Sequence, residues 1–219
     1  MKILKRIYIL LLSAVLIIGG SGCSVKNESS ETKRPEPTLN EWQKDFLSEQ
    51  KLPTEYEELN LTQRLSVAAI YEMIMYLEDK YGVTFEYTGY VRPQILENEY
   101  MTAIPKGGNE LTDTVTVTRQ DDGTLKDDYP NIVVRPYFEQ MITDYVEDYF
   151  GSDDIRVFST VTKTSVNDLT IITEETISGN ISGRSTVFIS KDLGSKEEMI
   201  KFANDYCIWL KKHDISCDS

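Results

Sequence analysis

The sequence predicts an α+β fold in which antiparallel β-sheets pack against amphipathic helices. Four segments carry apolar residues at helical spacing, whereas the segments between them mostly alternate with a period of two. Short polar turns separate the alternating segments, and consecutive strands with short links favour antiparallel pairing over parallel crossovers. Helices and sheets are therefore expected to share one mixed domain.

The four helices are predicted from their first residues and their apolar faces. The first begins at a capping box formed by Thr38 and Glu41. The second covers residues 62–81, and its apolar stripe is wide enough for the central helix of the core. The third covers residues 136–150, since proline is favoured at the first helical position. The fourth begins at a second capping box, at Ser195.

Strands are predicted where aromatic, β-branched and threonine residues alternate with polar ones. The predicted strands are residues 83–91, 99–104, 114–119, 132–134, 155–162, 169–176 and 185–189. Glycine, asparagine and aspartate occupy the links between them and are the usual residues of tight turns. The pattern indicates sheets built from strands that are neighbours in sequence.

Two similar heptapeptides, YLEDKYG at residues 76–82 and YVEDYFG at residues 145–151, each close a predicted helix before a predicted strand. Gly82 and Gly151 lie where a left-handed C-cap is expected, and only glycine adopts that conformation without strain. The similarity has two explanations, which are convergent helix endings and a duplication that gives similar lobes at residues 60–135 and 136–219. A catalytic role for these acidic residues is not favoured, because nothing else in the heptapeptides carries chemistry.

The N-terminal segment has the three parts of a secretory signal. A basic start is followed by an apolar run too short to span a bilayer, and then by Gly-Ser-Gly directly before Cys23. This arrangement resembles a bacterial lipoprotein signal. The resemblance implies that residues 1–22 are removed and that Cys23 is diacylated as the first mature residue. Cleavage without lipidation and retention as an uncleaved anchor are the alternatives.

Residues 23–38 are predicted to be the lipidated cysteine and a disordered tether. The tether is polar, contains one valine and ends in two prolines, so it has too little apolar surface to fold. Residues 39–219 are then expected to form a single globular domain, with lobes as described above.

The charge balance restricts the partners. The chain has 36 acidic and 23 basic residues, a formal charge of −13, and residues 1–22 hold three of the basic residues and none of the acidic ones. A body this acidic is repelled by nucleic acid and by anionic lipid. The sequence therefore predicts no nucleic acid partner. Membrane attachment is expected through the N-terminal diacylglycerol, on the extracytoplasmic face of the cell membrane.

A search for catalytic and metal-binding patterns gives no site. The chain has one histidine, His213, and lacks the clustered histidines and cysteines of a zinc site, a phosphate-binding glycine loop and a nucleophile elbow. The acidic stretch at residues 120–128 lacks the ligand spacing of a calcium loop and is interpreted as a hairpin tip. We expect no catalytic residue, no metal site and no cofactor.

A binding surface is predicted at Tyr87, Tyr90 and Arg92. Exposed tyrosines beside an arginine suit contact with a protein or a glycan, although ordinary sheet packing with a hydrated phenol edge is the more common explanation of such residues. Strand alternation predicts that Tyr87 and Tyr90 point to opposite faces. Cys207 and Cys217 are within reach of a disulfide in an exported protein, and a buried free thiol is the alternative.

Three hypotheses for the function follow. The first is a lipid-anchored extracytoplasmic protein with a non-catalytic binding role towards an unknown protein or glycan at the cell surface. The second is an accessory lipoprotein that binds a small ligand or serves envelope assembly. The third is a surface hydrolase that uses two carboxylates in a cleft. A deep pocket would favour a small ligand, and a broad aromatic patch would favour a protein partner.

Overall fold

The computed structural model describes residues 38–95, 97–190 and 194–217, the side chains of residues 216 and 217 excepted. The helices are α1 (Glu41–Glu49), α2 (Leu61–Tyr81), α3 (Tyr129–Phe150), α4 (Glu174–Ile177) and α5 (Lys196–Lys212), with a 3-10 turn at Tyr56–Glu58. The strands are β1 (Phe85–Val91), β2 (Tyr100–Pro105), β3 (Val115–Arg119), β4 (Leu125–Asp127), β5 (Ile155–Thr164), β6 (Ile181–Ile189) and β7 (Ser216–Cys217). This architecture confirms the α+β class.

The strands form two separate sheets, and each packs against helices. The first sheet has the order β1-β2-β3-β4, and all of its pairs are antiparallel. The second has the order β5-β6-β7, in which β5 and β6 form a long antiparallel pair and the two-residue β7 lies parallel to β6. Each sheet thus contains an antiparallel pair of consecutive strands, β1–β2 in the first sheet and β5–β6 in the second.

Two predicted helix starts are wrong. The capping box of α1 is formed by Asn40 and Gln43, not by Thr38 and Glu41. The third helix begins seven residues before Pro136, with Pro130 in its first turn, and Pro136 lies inside it. Pro130 has the fixed φ that suits a first turn, so it explains the earlier start. The Ser195 capping box of α5 is confirmed.

Two predicted strands are also wrong. Residues 132–134 belong to α3, and residues 169–176 form turns and the start of α4. Threonine is the reason in the second case, because Thr173 caps α4 through its side chain instead of extending a strand. The sequence pattern did not indicate β4 or the first four residues of β6.

The buried side chains form two cores. The first lies between α2 and the first sheet and includes Met73, Ile74 and Leu77, which have no exposed surface. The second lies between α3, α5 and the β5–β6 pair, with Phe138 and Ile142 at its centre. The prediction that residues 62–81 form a core helix is confirmed for the first core.

Helix α3 contributes to both cores. Tyr129 and Ile132, in its first turns, pack against the first core, whereas Val134 and the residues after it belong to the second. The change from one core to the other thus falls within α3. The chain from Thr38 onward forms one compact unit.

Both heptapeptides end a helix in the way that the sequence predicts. Gly82 has φ +67° and donates its amide to the Glu78 carbonyl oxygen. Gly151 has φ +61° and donates to the Glu147 carbonyl oxygen. The left-handed cap is therefore confirmed at both positions.

The two halves share a helix, a glycine cap and an antiparallel strand pair, and then diverge. In the first half β3 pairs antiparallel with β2, whereas in the second half β7 follows α5 and pairs parallel with β6. Because the strand orders differ after the second strand, the heptapeptides are best explained as convergent helix endings. The order of the strands does not support a duplication of whole lobes.

Candidate functional site

A groove with a volume of about 1010 Å³ lies between α2 and the ends of β1, β2 and β3. We call it the α2–β1 groove. One wall is formed by apolar residues of α2, and the other carries polar groups of the sheet. The principal lining residues are Leu65, Ala68 and Ala69 on the helix side and Tyr90, Glu99 and Arg119 on the sheet side.

The helix wall follows from the spacing of its residues. Positions 65, 68, 69 and 72 are three or four residues apart and therefore share one face of α2. That face lies beside the stripe of Val67, Ile70 and Ile74, which is buried against the sheet. The sequence pattern assigns Leu65 to the widened stripe, but its side chain is 62% exposed. An apolar side chain thus remains open to a ligand.

A hydrogen-bonded network of charged groups forms the sheet wall. The Tyr90 hydroxyl donates to Glu99 Oε1 at 2.5 Å, and Arg119 Nε donates to Glu99 Oε2 at 2.5 Å. Arg119 Nη2 also donates to Glu72 Oε2, on α2, at 2.7 Å. The guanidinium therefore joins the sheet to the helix across one end of the groove.

The surroundings of Tyr90 and Arg119 keep both side chains protonated. Burial, and then the hydrogen bond to Glu99, raise the pKa of Tyr90, so its hydroxyl keeps its proton. Hydrogen bonds to Glu72 and Glu99 raise the pKa of Arg119 further above its already high value. Glu72 and Glu99 share this one guanidinium, so both carboxylates are engaged within the protein. The arrangement is suited to holding a rigid polar wall.

The three predicted binding residues are only partly brought together. Tyr90 and Arg92 line the α2–β1 groove, and Arg92 is exposed with its Nη1 3.5 Å from Thr62 Oγ1. Tyr87 packs edge-to-face on Phe46 of α1, with 5.1 Å between ring centroids, and lines a separate cavity of about 470 Å³.

The predicted opposite orientation of Tyr87 and Tyr90 is wrong. A β-bulge leaves Thr88 outside the register of the β1–β2 pair, so Tyr87 pairs with Ala103 and Tyr90 with Met101. Ala103 and Met101 are both fully buried in the first core. An extra residue in one strand inverts the alternation beyond it, which places both tyrosines on the core face.

Sequence reasoning did not single out Leu65, Glu99 or Arg119. Leu65 matched the helical period of the core stripe, so nothing marked it as exposed. Glu99 is the first residue of one predicted strand, and Arg119 is the last residue of the next predicted strand along the chain. Pairing those strands as a hairpin brings the opposite charges together, and this signal could have found them.

The other candidate residues lie apart from the groove. Cys207 is exposed, so the alternative of a buried thiol is wrong; the Cys217 side chain lies outside the described residues, so their disulfide stays a prediction. Cys23 and nearly all of the tether lie outside them too. His213 bridges α5 and α4, with Nδ1 2.8 Å from the Trp209 carbonyl oxygen and Nε2 2.8 Å from Glu174 Oε1.

The acidic hairpin tip is held by its own local hydrogen bonds. Asp122 Oδ1 accepts from the backbone amide of Thr124 at 2.9 Å and from its hydroxyl at 2.6 Å. Among the described residues, no group of three or more histidine, cysteine, aspartate or glutamate side chains is placed to hold a metal ion.

Similarity to known proteins does not identify the chain. No protein-family model matches it, and no curated protein or solved structure is significantly similar. In the part of the chain that the structure describes, no helix is long and apolar enough to cross a membrane.

Proposed function

We propose that this protein is a lipid-anchored extracytoplasmic binding protein, and that its α2–β1 groove holds a segment of a protein partner at the cell surface. The observation that carries the proposal is the exposed Leu65 in a groove whose opposite wall is polar and fixed. Apolar surface next to a few well-placed polar groups is typical of binding sites.

The size and composition of the groove favour a polypeptide. Its volume of about 1010 Å³ is at the upper end of the range for small-ligand pockets, roughly 300–1,000 Å³, so a small ligand would fill only part of it. Tyrosine and arginine are the residues that most often carry binding energy at protein interfaces. Tyr90 provides part of one wall, and Arg92 is exposed at its edge.

The hydrolase hypothesis receives less support from the same geometry. A glycosidase of that type needs one carboxyl group that delivers a proton and a second that acts as nucleophile or base. Glu72 and Glu99 are the carboxylates of this groove, and both bind Arg119. In this arrangement neither is free to act on a substrate, so we favour a non-catalytic role.

The proposed anchor explains how an acidic protein stays at a membrane. Two acyl chains on Cys23 give stable attachment where a single chain is marginal. The fourteen residues between Cys23 and Thr38 would reach about 20 Å as a flexible coil. Without residues 1–22 the chain has 36 acidic and 20 basic residues, and this formal charge of −16 opposes direct contact with anionic lipid, so the folded part would remain in the aqueous phase above it.

Site-specific photo-crosslinking in intact cells tests the groove. A photoreactive amino acid replaces Leu65 in one variant and Ile171 in a matched control, since these side chains are 62% and 63% exposed. We expect crosslinking at position 65 to give a discrete adduct whose attached partner is digested by protease. Arg92→Ala should reduce the amount of this adduct. Equal labelling at both positions, or no adduct at position 65, would contradict the proposal. An adduct that resists protease but is removed by glycosidase would assign the groove to a glycan instead.

A further inference from the structure

The outer face of the β5–β6 pair exposes two phenylalanines. Phe158 is 61% exposed and Phe188 is 58% exposed, and their rings meet edge-to-face with 5.8 Å between centroids. Exposed aromatic pairs of this kind leave a large apolar area in water, and such areas often mark interaction sites.

Strand alternation produces this face. Ile155 and Val157 of β5 point inward to the second core. The residues that alternate with them along the strand therefore point outward. The register pairs Arg156 with Phe188 and Phe158 with Thr186. We call the outward positions the Phe–Arg face, and all six of its residues are exposed: Arg156, Phe158, Thr160, Arg184, Thr186 and Phe188.

The charge of the Phe–Arg face is opposite to that of the protein. The face holds two arginines and no carboxylate, although the chain has a formal charge of −13. Arg156 Nη1 donates to the carbonyl oxygen of Ile155, and within the described residues neither Arg156 nor Arg184 forms a salt bridge. Both guanidinium groups are thus open to a carboxylate from outside.

We propose that the Phe–Arg face docks a partner polypeptide segment that presents apolar and acidic side chains together. The phenylalanines would bury the apolar side chains, and the arginines would pair with the acids, which is the combination that dominates many interfaces. This surface belongs to the second sheet and does not involve the α2–β1 groove.

Two other occupants fit the face less well. A second copy docking through the same face would bring four guanidinium groups together with no carboxylate from either face to neutralise them. An anionic membrane would attract the two arginines by about 1 kcal/mol each, but it would repel a body that, without residues 1–22, has 36 acidic and 20 basic residues and a formal charge of −16. The charge pattern therefore favours an acidic polypeptide.

Peptide binding to the full chain in phosphatidylcholine nanodiscs tests the proposal. The probe is a fluorescent blocked decapeptide of alternating leucine and glutamate, and its control replaces glutamate with lysine. We expect the glutamate peptide to bind and the lysine peptide not to bind, as measured by fluorescence anisotropy. The double variant Phe158→Ser/Phe188→Ser should weaken binding about tenfold, the effect of losing roughly 1.4 kcal/mol. Arg156→Gln/Arg184→Gln should weaken it and reduce its dependence on salt.

The matched control is Ile171→Ser/Ile208→Ser, because these isoleucines are 63% and 64% exposed. It should bind the glutamate peptide as the unchanged protein does. All four substituted positions in the two serine variants are exposed, and circular dichroism checks that each variant is folded.

The proposal is overturned if the glutamate peptide does not bind, if both peptides bind equally, or if the phenylalanine variant binds normally. Loss of peptide binding when the nanodiscs contain phosphatidylglycerol would assign the face to lipid. A dimer that the phenylalanine variant abolishes would assign it to a second copy.

Discussion

Asp127 connects the end of α2 to β4 through a carboxylate with no exposed surface. It accepts hydrogen bonds from Lys80 Nζ at 2.6 Å and from the hydroxyls of Tyr76 and Tyr81 at 2.8 and 2.7 Å. Burial alone would raise the pKa of Asp127, but the hydrogen bonds from Lys80, Tyr81 and Tyr76 outweigh it and hold that pKa below its ordinary value. These three side chains belong to the first heptapeptide, which therefore has a structural role.

Replacing Asp127 with asparagine should lower the free energy of unfolding by about 1–3 kcal/mol at pH 7, because Lys80 and two partly buried tyrosine hydroxyls lose a charged acceptor. A carboxyl group whose pKa is lowered in the folded state stabilises the protein above its unfolded pKa of about 3.9. That contribution is lost as the pH falls through the folded pKa. The difference between the Asp127→Asn variant and the unchanged protein should therefore shrink below about pH 4.

Urea unfolding at pH 7, 5 and 3 measures this difference. The control is Asp121→Asn, at an exposed position of the hairpin tip, which should change the unfolding free energy by less than about 0.5 kcal/mol. A loss for Asp127→Asn that stays constant across the three pH values would show that its ionised form is not what stabilises the fold.

Side chains of α2 and α3 form hydrogen bonds with backbone groups of the strand that follows each helix, β1 and β5 respectively. Glu78, in the first heptapeptide, accepts from the backbone amide of Phe85, the first residue of β1, at 3.1 Å. In the second sheet the edge strand β5 is covered in part by α3. Glu139 accepts from the Ser159 amide at 2.7 Å, and Asn131 donates to the Thr162 carbonyl oxygen at 3.3 Å. These contacts satisfy backbone groups and oppose pairing with another chain along the edge.

The glycine caps give a direct test of how α2 and α3 end. Gly82→Ala and Gly151→Ala should each destabilise the protein by about 1 kcal/mol, since a Cβ is strained in the left-handed region. The space around both positions is open, with no atom within 4 Å of an added Cβ, so the loss should come from the backbone alone. Asparagine tolerates this conformation better, and Gly82→Asn should lose less. Thermal or urea unfolding that finds alanine as stable as glycine would contradict the cap.

The elements that the sequence predicted well are those with long, regular patterns. Helix α2 has a long apolar stripe with a glycine at its end; in the structure the stripe is buried from Val67 to Leu77, and Gly82 forms the C-cap. The first turns of α3 were missed because residues 132–134 are β-branched and Pro136 resembles a helix start. Contacts with both cores hold those turns in a helix, and one sequence does not reveal such contacts.

The candidate site was less predictable than the fold, for a geometric reason. Tyr90 and Arg92 were singled out by residue type, but the bulge at Thr88 decides which way Tyr90 points. A one-residue bulge in a short strand does not change the sequence pattern of alternating residues enough to be recognised. The pairing of Arg119 with Glu72 joins residues 47 positions apart, so it depends on how α2 crosses the sheet.

The protein carries its two candidate surfaces on different sheets. The α2–β1 groove is formed on the first core, and the Phe–Arg face covers the outside of the second. Substitutions at Leu65 and at Phe158 should therefore act independently, since Leu65 lines the groove at α2 and Phe158 lies on the outer face of β5. The proposed anchor and the two proposed surfaces would together suit a protein that brings two polypeptides together near a membrane.

The claim on which this function depends most is the attachment of lipid at Cys23. Intact mass spectrometry of the protein purified from membranes measures it directly. The account predicts a mature chain that begins at Cys23 and carries diacylglycerol, and a Cys23→Ala variant that is neither processed nor lipidated. A mature chain that begins elsewhere, or one that begins at Cys23 without lipid, would contradict it.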